Sequence, residues 1–283
     1  MSRAVLTLRN GARVAHDAAM PDTDPNRPPD PVAPRTPRER ARAEFTADLL
    51  AAARARVRDE GAAQLSLRAV ARDLGVASSA VYRYVDSRDA LLTLLIIEAY
   101  DAAGVACEEA AERGRRAGAA PAQTWLAVAR AFRVWALADR HGFGLVYGTP
   151  VPGYLAPQDT VRPATRVWGA LGGVVAAALA DGSLRPGGPD VAARQLVEPR
   201  VLEFAAGIGA GARAPAGSDA LESAAGGVVG SAVLFAALLG AVSMELYGHL
   251  HGVVTDTARV FDVAMATAGA GVGLHVSLDG PVP

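Results

Sequence analysis

Residues 65–96 read LSLRAVARDLGVASSAVYRYVDSRDALLTLLI, and the reading of this stretch decides the fold. Leu67, Val70, Ala71 and Leu74 stand at i, i+3, i+4 and i+7, the spacing of one apolar helix face. Ser66 is placed to cap that helix, and Gly75 to stop it after barely two turns. A further short helix is expected at about 78–84, with Val81 and Val85 facing inward. Asp86 and Ser87 then cap a long helix, Arg88 to about Arg113, that carries Leu91, Leu92, Leu95, Ile96 and Ala99. Two short helices joined by a glycine turn and a shared apolar set form a helix-turn-helix. The second helix of such a unit lies in the DNA major groove.

The side chains there suit that task. Ser78, Ser79 and Ala80 are short, so the backbone can approach base edges closely. Arg83 has the reach for guanine or phosphate, and the hydroxyls of Tyr82 and Tyr84 can bond phosphate while their rings pack below. Arg88 opens the next helix, where an arginine beside free backbone N–H groups makes a phosphate clamp. Short helices joined by glycine also occur in domains that touch no DNA. An all-α ligand-binding or scaffold protein without DNA binding therefore stands as the alternative.

Upstream, Thr36-Pro37-Arg38-Glu39 places threonine at N-cap, proline at the first helical position and glutamate at the third, a capping-box start. Phe45, Leu49, Ala53 and Val57 repeat every four residues and predict a helix to about Glu60, ended by Gly61. Residues 1–35 hold six prolines amid aspartate, asparagine and arginine, a composition that predicts a disordered tail. Downstream the chain keeps a helical habit, with helices expected near 121–140, 161–181, 189–206, 222–251 and 255–274. The Gly/Pro-rich links fall at 141–157, 182–188 and 207–220. No segment shows sustained period-two alternation, so the class is all-α: a helix-turn-helix domain at 36–97, and a larger helical domain at 98–276 joined to it by the long fourth helix.

The 283 residues carry a net charge of −1, so any nucleic-acid surface must be a local patch. All 28 basic residues are arginine, which a G+C-rich coding sequence explains and which says little about mechanism. The one cysteine, Cys107, excludes an internal disulfide, and its apolar helical setting reads as a buried small residue. No signal peptide is read at the N-terminus, where Arg9, Asn10 and Arg13 break the apolar run. The runs at 170–180 and 228–242 look too short or too broken by glycine and serine to span a bilayer, which predicts a cytoplasmic protein with no membrane partner. There is no Gly-rich phosphate loop, Gly-x-Ser-x-Gly or His-Glu-x-x-His, so an enzyme is not expected, nor a metal or other cofactor. His249 and His251, two residues apart on a helix, point to different faces.

Over about 36–97, without a gap, the chain closely resembles the N-terminal domain of TetR-family transcriptional regulators. The resemblance fixes the turn, both short helices and the start of the fourth helix together. It implies DNA contacts at Arg38, Ser66, Arg68, Ser78, Ser79, Ala80, Tyr82, Arg83, Tyr84 and Arg88. In that pattern Ser66 and Arg68 meet phosphate, while Ser78, Ser79, Ala80 and Arg83 face the bases. Tyr84 stands where histidine is frequent, Val85 where phenylalanine is frequent, and Arg88 where lysine is usual.

The stretches FRVWALADRHGFGLVYGTPVPGY (132–154) and LLGAVSMELYGHL (238–250) are similar to one subgroup of TetR C-terminal domains. The likeness implies a small-molecule inducer and a homodimer through the last two helices. Gly240, Ala241 and Ser243, with Leu239, Leu246 and Leu250, are the expected contact set. A pocket is expected among Trp125, Phe132, Trp135, Phe143, Tyr147, Trp168, Phe204 and Met244, with His141, Glu198, Arg200 and Glu245 as polar anchors. The function so implied is a ligand-responsive regulator, a repressor released from a palindromic operator.

Overall fold

The computed structural model describes residues 36–185, 192–210 and 218–278. Among these residues the regular structure is helical, in ten α-helices with short 3-10 turns between some of them. They are α1 (Pro37–Glu60), α2 (Leu67–Asp73), α3 (Ser78–Val81), α4 (Arg88–Arg116), α5 (Pro121–Ala138), α6 (Arg140–Tyr147), α7 (Val161–Ala180), α8 (Pro199–Ala210), α9 (Ser218–Leu246) and α10 (Thr257–Gly271). The expected all-α class is the observed one. The expected tail, residues 1–35, lies outside the described residues.

At the start of α1 the capping box is formed in full. The Thr36 N–H donates to Glu39 Oε2 at 2.9 Å, and the Glu39 N–H to Thr36 Oγ1 at 3.2 Å. From Phe45 on, Leu49, Ala53 and Val57 turn one face of α1 into a small core. The other members of that core are Leu67, Val70, Ala71, Val81, Val85, Leu91, Leu92, Leu95 and Ile96. The Arg56 guanidinium grips Asp73 through two bonds of 2.7 and 2.8 Å, tying α1 to the end of α2. Each charge favours the other's ionised form, so the Asp73 carboxyl sits below its usual range and Arg56 above its own.

A second, larger core forms where α5 and α7 pack on the C-terminal half of α4, with α9 laid on α5 and α7 and α10 on α5 and α9. Cys107, Trp125, Phe132, Phe143, Leu171, Leu234, Leu238 and Met265 are fully covered there. Cys107 is the expected buried residue, and burial pushes its thiol up to about 12. Helix α4 thus serves both cores, Leu91 to Ile96 in the first and Ala103 to Ala111 in the second. Where α7 crosses α4, Arg166 bonds Asp101 and Glu108 at 2.6 Å each and lies over Gly104. A Cβ at Gly104 would come within 2.6 Å of the Arg166 Cβ, so this mid-helix glycine permits the close crossing.

Several boundaries differ from the sequence reading. The expected link at 141–157 contains α6, because Asp139 accepts from the Gly142 N–H at 2.9 Å and so starts a new helix. The helix expected at 189–206 is instead a 3-10 turn at Ala193–Leu196 followed by α8, whose first residue is Pro199, a position where proline breaks what precedes it. Residues 189–191 lie outside the described set. Helix α9 stops at Leu246 rather than near 251. There the Gly248 and His249 N–H groups close on the Glu245 and Met244 carbonyls at 3.2 and 2.9 Å, and the histidines fall in the following turns.

The reading of the apolar runs as too short for a bilayer also needs correction. By length and composition, 88–116, 158–180 and 219–246 are each long and apolar enough to cross a bilayer. Gly226, Gly227, Gly230 and Ser231 do not interrupt α9, so the continuous apolar stretch exceeds what the isolated runs suggested. One face of each of these helices is used in the cores described above.

Behind α10 the chain returns to the end of α7. The Arg185 N–H donates to the Gly273 carbonyl at 2.9 Å, and Leu274 is buried. Gly273 has φ of 94°, and a Cβ there would collide with the Arg185 carbonyl oxygen. Gly273→Ala combines left-handed strain with a backbone clash and is expected to cost about 3 kcal/mol. A urea titration with a lowered midpoint and an unchanged slope will show it. A variant as stable as the parent will refute this account of the turn.

Candidate nucleic-acid interface and ligand cage

Helix α2 ends in a tight αL turn. The Gly75 N–H bonds Arg72 O at 3.1 Å and the Val76 N–H bonds Ala71 O at 3.0 Å, with Gly75 at φ 68°. The chain then enters α3, shorter than the expected 78–84. Past Val81 the Arg83 and Tyr84 N–H groups bond Ala80 O and Val81 O, three residues back. Two anchors account for the tightening: the Tyr84 ring packs on Phe45 with centroids 4.4 Å apart, and Val85 enters the core.

This places the expected contact residues as follows. Ser79, Tyr82 and Arg83 are exposed, with Ser78, Ala80 and Tyr84 half-buried beside them. Ser66 is the N-cap of α2, and its hydroxyl makes no capping bond. Arg68 is exposed one turn on, and neither Arg68 nor Arg83 has an ion-pair partner among the described residues. Arg38 is exposed in the first turn of α1.

Arg88 is engaged differently. Its Nη2 donates to the Ala62 and Ala63 carbonyls at 3.0 and 3.3 Å, and its Nη1 to Asp89 at 2.8 Å. The side chain therefore bridges the start of α4 to the turn that precedes α2. Ser87 caps α4 by accepting from the Ala90 N–H at 3.1 Å. The sequence offered no sign of Arg88's local partners, since they are backbone carbonyls 25 and 26 residues away.

In the larger core, four of the expected pocket residues come together. Phe132 and Trp135 of α5 meet Phe143 and Tyr147 of α6, with centroids between 5.3 and 6.3 Å apart. Two aromatics that sequence reasoning did not name join them: Tyr100 from α4 and Phe235 from α9, 5.7 and 6.0 Å from Tyr147. Both sit in apolar helical runs, where nothing in the pattern separates a cage wall from ordinary core. Trp168 extends the group through Phe235 at 5.8 Å, and its indole N–H donates to Ser231 Oγ at 2.7 Å.

The other expected pocket residues lie elsewhere. Trp125 is buried against α10, its N–H donating to Met265 O at 2.8 Å. Met244 is exposed on α9, and Glu245 is held by Arg133 through two bonds of 2.6 Å. His141 lines an open cleft of about 440 Å³ between α1, α4 and α6, with Arg54 and Glu98 ion-paired on its wall. Glu198 and Arg200 are exposed at the start of α8, and the Phe204 side chain lies outside the described residues.

Helix α6 touches both cores. Phe143 and Tyr147 face the aromatic group, whereas Leu145 and Val146 pack against the helix-turn-helix core. The Tyr100 hydroxyl donates to Val146 O at 3.2 Å, and just beyond α6 the Tyr154 and Thr93 hydroxyls meet at 2.9 Å.

Comparison with known proteins agrees with this arrangement. Residues 49–95 match the family model of bacterial regulatory proteins of the tetR family, and residues 125–268 match that of the tetracyclin repressor-like C-terminal domain. The HTH-type transcriptional regulators Rv1816 of Mycobacterium tuberculosis and Mb1846 of Mycobacterium bovis are each 38% identical over 231 residues, 80% of this chain and 91% of theirs. The crystal structure of SCO4313 superposes with a TM-score of 0.59 at 30% identity, covering 82% of this chain and 98% of that one. A Rhodococcus protein of unknown function shares the fold, with a TM-score of 0.57 at 24% identity over 80% of this chain and 94% of its own. A helix-turn-helix on a larger helical domain, matched along both parts by regulators of one kind, makes this chain a member of the tetR family of bacterial transcriptional regulators.

Proposed function

We propose that the protein is a cytoplasmic, ligand-responsive repressor, a homodimer that leaves a palindromic operator when a small-molecule inducer fills the aromatic cage. The observation that carries this reading is α6. One of its faces belongs to the cage and the other to the helix-turn-helix core, so a ligand that moves Phe143 or Tyr147 also moves Leu145 and Val146.

On the DNA side, α3 enters the major groove. Ser78, Ser79, Ala80 and Arg83 face bases, while Arg38, Ser66, Arg68, Tyr82 and Tyr84 face phosphates. Arg88 acts through the Ala62 and Ala63 carbonyls, setting the angle at which α2 meets the backbone. Two copies pair through α9 and α10. Leu246 of the expected contact set is buried in the protomer's own core, and Gly240 stays exposed. The face offered for pairing is Val233, Gly240 and Met244 on α9, Tyr247 just past its end, and Val260 and Val263 on α10, all exposed and mostly apolar.

The test is a gel-shift titration on the DNA upstream of the protein's own gene, with a promoter reporter in cells lacking the protein. Sequence-specific retention at 0.15 M salt and raised reporter output are expected. No specific retention even at low salt will overturn the DNA-binding reading, and a fall in reporter output will mark an activator.

A further inference from the structure

Among the aromatic side chains gathered around α6, each polar tip has a partner except two. Tyr100 donates to Val146 O, and Trp168 to Ser231, whose own hydroxyl donates to Val228 O. Trp135 Nε1 and Tyr147 Oη are buried and have no hydrogen-bond partner among the described residues. An indole nitrogen only donates, so this one needs an acceptor that the described residues do not supply. Buried polar atoms left unpaired in this way destabilise a fold and concentrate at sites that function with a ligand.

The surroundings narrow the ligand's chemistry. The rings that meet Tyr147 are Tyr100, Phe132, Trp135, Phe143 and Phe235, none of them charged. The arginines of α5 and α6 are spent: Arg130 on Asp262, Arg133 on Glu245, and Arg140 on the Leu246 carbonyl at 2.7 Å. An anion would therefore find no free arginine on these two helices among the described residues. A cation carrying N–H groups could use the Tyr147 oxygen but would leave the donor-only Trp135 N–H without an acceptor, and the Glu245 carboxylate is already paired with Arg133. A neutral molecule with an oxygen acceptor satisfies both atoms.

We infer that this cage takes an uncharged, mainly apolar ring compound whose carbonyl oxygen accepts from Trp135 Nε1 and Tyr147 Oη. The inference rests on the ligand-responsive reading above and specifies the chemistry of its inducer. Flat rings fit because offset and edge-to-face contacts with several aromatics stabilise them.

Three probes of one shape test it on the full-length protein: fluorene, fluorenone and fluorenone carboxylate, followed by calorimetry and tryptophan fluorescence. Fluorenone is expected to bind about a hundredfold more tightly than fluorene, two hydrogen bonds worth about tenfold each, and the carboxylate more weakly than fluorenone. Trp135→Phe and Tyr147→Phe should each erase about tenfold of the fluorenone preference while raising the melting temperature of the ligand-free protein by a few degrees. That opposite movement is the signature, since a packing role would lower both.

Equal binding of fluorene and fluorenone, tightest binding of the carboxylate, failure of all three to bind, or a lowered melting temperature in both variants will overturn the inference. Fluorenone binding that leaves the operator complex intact will keep this assignment and count against ligand-responsive release. Release by the carboxylate alone will do the reverse.

Discussion

Arg133→Ala is expected to destabilise the folded chain by about 3–5 kcal/mol. Arg133 and Glu245 are 17% and 12% exposed, and they meet through two bonds of 2.6 Å. The guanidinium also lies 5.5 Å from the Phe261 ring centroid, so it joins α5, α9 and α10 at one point. Removing it strands a covered carboxylate, and the cost is mainly the desolvation of that charge. Arg133→Lys should recover part of the loss, because an ammonium cannot fork onto both oxygens. Arg133→Met combined with Glu245→Leu should recover most of it, since no charge is then left behind.

The same pair gives a pH signature with a definite sign. The Arg133 bonds hold the Glu245 carboxyl below its ordinary value of 4.5. A carboxyl depressed on folding contributes stability that is fully present above the unfolded value and is lost as pH falls through the folded one. The parent should therefore lose this contribution below about pH 4.5, whereas Arg133→Ala has none to lose. Unfolding free energies at pH 7 and pH 4 should show the gap between the two proteins narrowing in acid. A gap of constant size would remove the ion pair as its cause.

Periodicity alone located the first core. Leu49, Ala53, Val57, Leu67, Val70, Val81 and Leu91 are all where a helical reading puts them, because local spacing and burial coincide in short amphipathic helices. The cage was half legible. Phe132, Trp135, Phe143 and Tyr147 are close in sequence as well as in space, but Tyr100 and Phe235 reach them from helices 47 residues before and 88 residues after Tyr147, through packing that leaves no local mark. Trp125 and Trp168 look alike as residues, yet one donates to Met265 O and the other to Ser231, and no spacing announces either partner. The α6 helix was hidden by its glycines, and what starts it is a single side-chain bond from Asp139.

Three arginines of the helix-turn-helix should separate by how they fail. Arg83→Ala is expected to cost about 1–3 kcal/mol per half-site where it faces guanine, and a dimer loses that contact twice. The loss should be large on the operator and small on unrelated DNA, which a competition titration reads directly. Arg68→Ala, taken from an exposed side chain with no ion-pair partner among the described residues, should weaken both kinds of DNA alike. It should also flatten the plot of log affinity against log salt by roughly 0.9 for each phosphate contact removed. Arg88→Ala should weaken both kinds of DNA too, but leave that slope nearly unchanged. Its guanidinium is already committed to the Ala62 and Ala63 carbonyls and to Asp89, so few counterions depend on it. The defect should appear instead as a lower melting temperature and a loosened turn ahead of α2. If Arg88→Ala flattens the slope as strongly as Arg68→Ala, the side chain must leave those carbonyls for phosphate when DNA binds, and its bridging role belongs to the free protein alone.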